Sequence, residues 1–233
     1  MRIGLLKCDH VLDQFESIAG DYQKMVSSML QSVPGELVVF DAYAGELPTR
    51  PDTCDAYIIS GSSASVYEDQ QWIRDLEAFV RSVAGAAVPM FGICFGLQVM
   101  ATALGGVVKR SDRGWGVGVH AMTVTETRPW MQPGESTISL IMLHQDQVVS
   151  LPDDARVVGS SDHCPNFLIE FGPGLVGVQG HPEFPPAYAA ALYADRRDRL
   201  GELTDTAIDS LATPTSEKVV TRWMREVFQS PVR

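Results

Sequence analysis

The sequence predicts an α/β protein: a doubly wound, mostly parallel sheet with helices on both faces and a partly antiparallel extension. Two observations carry this. In the first half, short apolar runs alternate with amphipathic helical segments, the pattern of parallel strands joined by right-handed crossovers. In the second half the helical periods give way to closely spaced strand-like runs separated by short turns.

Residues 2–7 are a short apolar strand. Residues 21–33 place Met25, Met29, Leu30 and Val33 at helical spacing and close at Pro34-Gly35. Residues 36–40 and 56–60 read as strands. Residues 72–83 form an amphipathic helix with Trp72, Leu76, Phe79, Val80 and Val83 on one face. Residues 88–93 are a buried strand, and 95–104 a helix stopped by Gly105-Gly106. In the second half 117–125, 137–143, 156–159, 167–171 and 175–179 are strand-like. Helices over 186–200 and 216–228 follow, the last with Val220, Trp223, Met224 and Val227 on a face that docks on the rest or covers a partner. No repeat, low-complexity tract or linker divides the chain, so one domain over 1–233 is expected.

The charge of −11 over 233 residues disfavours nucleic acid and anionic membrane surfaces as partners. The apolar run at the N-terminus is too short for a signal peptide, and no stretch approaches the roughly 18 apolar residues of a membrane span. A cytoplasmic protein is the expectation. The 4 cysteines form no Cys-x-x-Cys pair, which points to reduced thiols rather than a zinc ribbon or redox dithiol.

Three stretches bear on chemistry. In "PMFGICFGLQVMA", residues 89–101, Cys94 stands between Gly92 and Gly96, where a buried strand turns into a helix. Such a turn lies at the carboxyl edge of the sheet, where parallel sheets bind ligands. Glycines two before and two after the cysteine fit a nucleophile elbow, and the helix start favours thiolate. The other reading is a small residue packed at a strand–helix junction. In "VQGHPEF", residues 178–184, Pro182 holds His181 extended, and Glu183 follows at a distance suited to orienting an imidazole base. The alternative is a solvated turn. In "IISGSSASVYED", residues 58–69, a Gly-Ser-Ser loop after a strand offers backbone N–H groups to an anion.

Together, Gly-x-Cys-x-Gly-x-Gln, the later His-Pro-Glu and the upstream Gly-Ser-Ser resemble the class I glutamine amidotransferases, the Cys-His-Glu triad glutaminases, over about residues 1–200. The resemblance is greatest to free-standing, GMP-synthetase-glutaminase-like and γ-glutamyl-peptidase-like members, and it implies a flavodoxin-like sheet. It implies Cys94 as nucleophile on a γ-glutamyl amide, His181 as general acid and base, and Glu183 as its orienting carboxylate. Backbone N–H groups of Gly61 and Phe95 would form the oxyanion hole. Ser62, Gln98, His144, Gln145 and Asp146 would bind substrate, with Asp146 set to pair with the α-ammonium. The substrate implied is glutamine or another γ-glutamyl compound, and neither cofactor nor metal is implied.

There are departures. Leu97 stands where relatives often carry His, which is expected to alter the pocket wall. No Gly-x-x-x-x-Gly-Lys-Ser/Thr loop is present, so activation of an acceptor would fall to a separate synthetase subunit. The alternative is an autonomous γ-glutamyl peptidase, with the Ser62-Ser63-Ala64-Ser65 loop leaving room for a larger leaving group. A non-catalytic binding or regulatory protein that kept the fold is a further alternative. Phe95 after the cysteine disfavours the related cysteine-elbow hydrolases and chaperones that carry His there. His163-Cys164 and His120 read as structural, Trp115-Gly116-Val117-Gly118 as a bend, and "DRRDRL", residues 195–200, as a solvated helix face.

Overall fold

Strand β1 (Arg2–Lys7) shows why the sheet has two covered faces: Leu5 and Leu6 are adjacent, fully buried, and belong to different cores. Successive strand side chains point to opposite faces, so a continuous apolar run is what a doubly covered parallel strand requires. The computed structural model describes residues 1–230. After β1 come α1 (Asp13–Ala19) and α2 (Tyr22–Met29), the latter capped by Asp21, whose carboxylate accepts from the Lys24 N–H at 3.2 Å. Then follow β2 (Glu36–Asp41), β3 (Ala56–Ile59), α3 (Gln71–Gly85), β4 (Met90–Ile93) and α4 (Phe95–Ala103). The second half supplies β5 (Val107–Arg110), β6 (Gly116–Val124), β7 (Thr137–His144), β8 (Asp146–Ser150), β9 (Arg156–Ser160), β10 (Leu168–Gly172) and β11 (Leu175–Val178). Four helices finish the described chain: α5 (Pro186–Asp195), α6 (Arg197–Leu200), α7 (Leu203–Ser210) and α8 (Glu217–Gln229).

The main sheet runs β2-β1-β3-β4-β11-β10-β9-β6-β7. Its first five strands are parallel and in flavodoxin-like order, with β11 in the fifth place; from β11 onward the pairs are antiparallel. One face packs on α2 and α8 through Val26, Trp223, Met224 and Val227. The other packs on α3 and α4 through Leu76, Val80, Phe95 and Val99. A third cluster, with Phe15, Tyr188, Tyr193 and Ala207, lies under α1, α5 and α7.

The structure departs from the periodicity in places. The helix expected over 21–33 ends at Met29, and a single 3₁₀ turn, Leu30–Ser32, leads to Pro34. The helix expected over 186–200 breaks at Arg196, whose φ of −94° and ψ of 16° leave the helical region. Helices α1 and α7 were not marked by any apolar stripe, each burying only one or two side chains. Strands β5 and β8 form a separate antiparallel pair.

Gly96 decides how α4 sits on the sheet. A Cβ there would overlap the Ile59 carbonyl oxygen, which is backbone and cannot turn away. Gly96→Ala is therefore expected to cost about 3 kcal/mol, an overpacking penalty, and to lower the melting temperature by roughly 6–12 °C in a chain of this size. A thermal melt followed by circular dichroism measures it.

Candidate active site

Cys94 caps the N-terminus of α4 with φ 53° and ψ −101°, a conformation L residues rarely adopt. Strain of this kind costs of order 1–3 kcal/mol and persists where the surroundings over-determine it. The Cys94 N–H donates to Val178 O at 2.8 Å, tying the turn to β11. A Cβ on Gly92 would meet the Gly96 carbonyl carbon at 2.5 Å, so the strand and the helix touch through bare backbone. Both glycines are what lets strand and helix approach this closely at the sharp turn that carries Cys94. The other three cysteines lie elsewhere in the interior: burial pushes the thiols of Cys8 and Cys54 up, and that of Cys164 up to about 12.

His181 follows β11, the strand beside β4. Its N–H donates to Ile141 O at 2.8 Å, and its ring stacks on Phe184 with centroids 3.9 Å apart and planes 11° from parallel. Nδ1–H donates to Glu183 Oε1 at 2.7 Å, which fixes the tautomer because a carboxylate only accepts. The Glu183 side chain is 1% exposed, and its Oε2 has no hydrogen-bond partner among the described residues. Burial by itself lowers the pKa of an imidazole. His181 is nevertheless raised, to about 10, because the Glu183 carboxylate and the Cys94 sulfur favour the imidazolium.

Gly61 closes the third side. A Cβ there would stand 2.9 Å from His181 Cε1 and 3.9 Å from Cys94 Cβ, in the gap between thiol and imidazole. Ser60 Oγ accepts from the Cys8 N–H and donates to Gly61 O, while Asp9 accepts from the Ser63 N–H at 2.6 Å, so the loop is anchored on both sides of the glycine. Among the described residues neither the Gly61 nor the Phe95 N–H donates to another group. Phe95 is the first residue of α4, where a free N–H is the rule.

Cys94 lines a cavity of about 480 Å³ together with Ser62, Gln98, His144, Gln145 and Asp146. Gln98 is buried, and its Nε2 donates to Asp146 O at 2.8 Å and Gln179 Oε1 at 3.2 Å, leaving Oε1 as the open group. Asp146 begins β8, and its carboxylate already accepts from Ser65 Oγ at 2.5 Å and Tyr67 OH at 3.0 Å, with lone pairs to spare. Ser62 Oγ accepts from the Ala64 N–H. His144 also lines this cavity; its Nδ1–H donates to Asp146 O, and its Nε2 faces Gly116 and His163. Burial lowers its pKa to about 3, so it stays neutral and offers no charge to a carboxylate.

Gln179 was not anticipated. It is fully buried, and its Nε2 donates to Cys94 Sγ at 3.4 Å while its Oε1 accepts from Gln98. Its signal in the sequence is a lone amide in an apolar strand end, two residues before His181, which a buried position obliges to find partners. Leu97 is fully buried against Gly177 in the core under α4 and is absent from the cavity lining, so it does not shape the pocket wall. Trp115, expected to do no more than shape a bend, lines the cavity. His163 rings against His120 and His144, and among the described residues no group of three or more His, Cys, Asp or Glu is arranged to hold a metal ion. No described helix is long and apolar enough to cross a membrane.

The family described as glutamine amidotransferase class-I matches residues 19–195. A glutamine amidotransferase-like protein of Schizosaccharomyces pombe is 32% identical over 78% of this chain and 79% of its own. γ-Glutamyl peptidase 5 of Arabidopsis thaliana is 31% identical over 63% of this chain, which spans 61% of that relative's length. The GMP synthase of Ralstonia pickettii is 35% identical over 62% of this chain but 26% of its own. Among solved structures, a glutamine amidotransferase of Thermotoga maritima superposes with a TM-score of 0.76 over 98% of this chain and 96% of its own, at 18% identity. Fold, motif order and a family match over most of the chain agree, and the chain belongs to the class I glutamine amidotransferases.

Proposed function

We propose that this protein hydrolyses the γ-glutamyl amide bond of glutamine or a γ-glutamyl compound through a thioester on Cys94. The observation that carries the reading is the strained Cys94 elbow beside a buried His181–Glu183 pair just beyond the end of the adjacent strand. His181 takes the thiol proton, and the thiolate attacks the side-chain carbonyl carbon. The oxyanion that forms is received by the N–H groups of Gly61 and Phe95; losing one such donor typically costs about 3 kcal/mol of barrier. The C–N bond breaks as His181 returns the proton to the leaving nitrogen, releasing ammonia or an amine. His181 then deprotonates a water that opens the thioester, giving glutamate and the free thiol.

Glu183 holds the ring in register and stabilises the imidazolium. Asp146 receives the α-ammonium, and Ser62, Gln98 and Gln145 supply polar contacts around the glutamyl group. The likeness to γ-glutamyl peptidases supports action as an autonomous hydrolase; the likeness to GMP synthases supports ammonia supply to a separate synthetase.

Incubation with glutamine and a γ-glutamyl peptide panel, with released ammonia and amine measured, tests the reading. Labelling by a glutamine-analogue electrophile, mapped by mass spectrometry, is expected at Cys94; an adduct elsewhere, or none, overturns it. Gln179 is a positioning residue in this scheme. Gln179→Leu removes the donor to sulfur and leaves Gln98 Nε2 short of a partner. The rate constant for Cys94 labelling at pH 7 and kcat/KM are both expected to fall about 10- to 100-fold, the range for a hydrogen bond to a charged group.

A further inference from the structure

The cleft has a second lobe, of about 300 Å³, and it lies on the side of His181. The two lobes meet at Ser62, Ser63 and Leu143, and Arg196 and Arg199 line both. The group that protonates the leaving nitrogen must face it, so the His181 lobe is where the leaving group departs. Ammonia needs about the room of one water, roughly 30 Å³ of liquid volume. The lobe is about ten times that.

Its charges are uneven. Asp9 is occupied by the N–H groups of Ser63 and His10, and Asp195 accepts from Gln14 Nε2. Arg197, between the two arginines, pairs outward with Asp205. Among the described residues the Arg196 and Arg199 side chains make no hydrogen bond or ion pair, in a chain of net charge −11. The break at Arg196 turns the chain into α6, and a spacing of three sets Arg196 and Arg199 on one side of that turn. The glutamyl side is already supplied with opposite charges: Asp146 for an ammonium and Arg110 for a carboxylate.

We infer that the lobe beside His181 is a leaving-group subsite for an amine that carries a carboxylate, held by Arg196 and Arg199, which makes γ-glutamyl amino acids and dipeptides with a free carboxyl end the substrate class. This rests on the hydrolase reading above. Guanidinium groups bind carboxylates through two parallel hydrogen bonds, which neutral amides do not replace. The leaving amine takes its proton from His181, and its carboxylate remains ionised throughout.

The test compares glutamine, γ-glutamylglycine and γ-glutamylglycinamide on the wild type and on the Arg196→Gln/Arg199→Gln double variant. The wild type is expected to prefer γ-glutamylglycine over its amide at least tenfold in kcat/KM, and the double variant to lose that preference, with Arg196→Lys/Arg199→Lys recovering part of it. An equal preference in wild type and variant overturns the subsite. A loss on glutamine as large as that on γ-glutamylglycine also overturns it, by assigning the arginines to the glutamyl carboxylate. A wild type that releases neither ammonia nor glycine from any of the three sinks the hydrolase reading itself, a separate outcome.

Discussion

Cys94→Ala is expected to lower amide hydrolysis by at least about 10⁴-fold, since what remains after a triad nucleophile is removed comes only from binding and oxyanion stabilisation. Released ammonia and amine, measured against glutamine and the γ-glutamyl panel, report it; turnover that survives the substitution refutes a thioester on this residue. The backbone adds a second readout. At φ 53° and ψ −101° an alanine keeps the strain that glycine relieves. Cys94→Gly is thus expected to melt at or above Cys94→Ala, although glycine usually destabilises relative to alanine. The reverse order would mean that the elbow is not held against its own conformational preference.

The second large effect is expected at Glu183. Glu183→Gln keeps the shape and removes the charge, and the loss in kcat/KM is expected between about 10² and 10⁴-fold. The pH profile separates this role from a structural one. With the carboxylate in place the His181 imidazolium persists above its ordinary range, to about 10, so the alkaline limb of kcat/KM lies far above neutrality. Removing the negative charge withdraws a cause of that elevation, and the limb moves to lower pH. A limb that stays put or moves upward would remove Glu183 from the imidazolium's support.

What was legible in the sequence was what local chemistry enforces. Gly92 and Gly96 flank Cys94 at the spacing a sharp strand-to-helix turn demands, and His181, Pro182 and Glu183 lie within three positions of one another. The doubly buried strands announced themselves as unbroken apolar runs. What was not legible depends on distant partners. The amide of Gln179 meets groups 81 and 85 positions away, so nothing in its own neighbourhood marks it. Arg196 and Arg199 sit in a charge-rich stretch that reads as a solvated face. Only the break at Arg196 brings them to the cleft. His144 lines the cavity, yet no local pattern foretells that its Nδ1–H donates to Asp146 O and its open nitrogen faces Gly116. Helices α1 and α7 are too short and too polar for a periodic signal, and packing rather than propensity places them.

Cys94 is the first residue beyond β4 and His181 the third beyond β11, adjacent parallel strands with Ile93 in register with Val178. Their placement starts from the roughly 4.8 Å spacing of neighbouring strands and is completed by the His181 N–H bond to Ile141 O on β7. On the proposed mechanism, the folded chain already holds thiol, base and orienting carboxylate together. Whatever restrains it between turnovers has to work as a doorkeeper, deciding what reaches the sulfur.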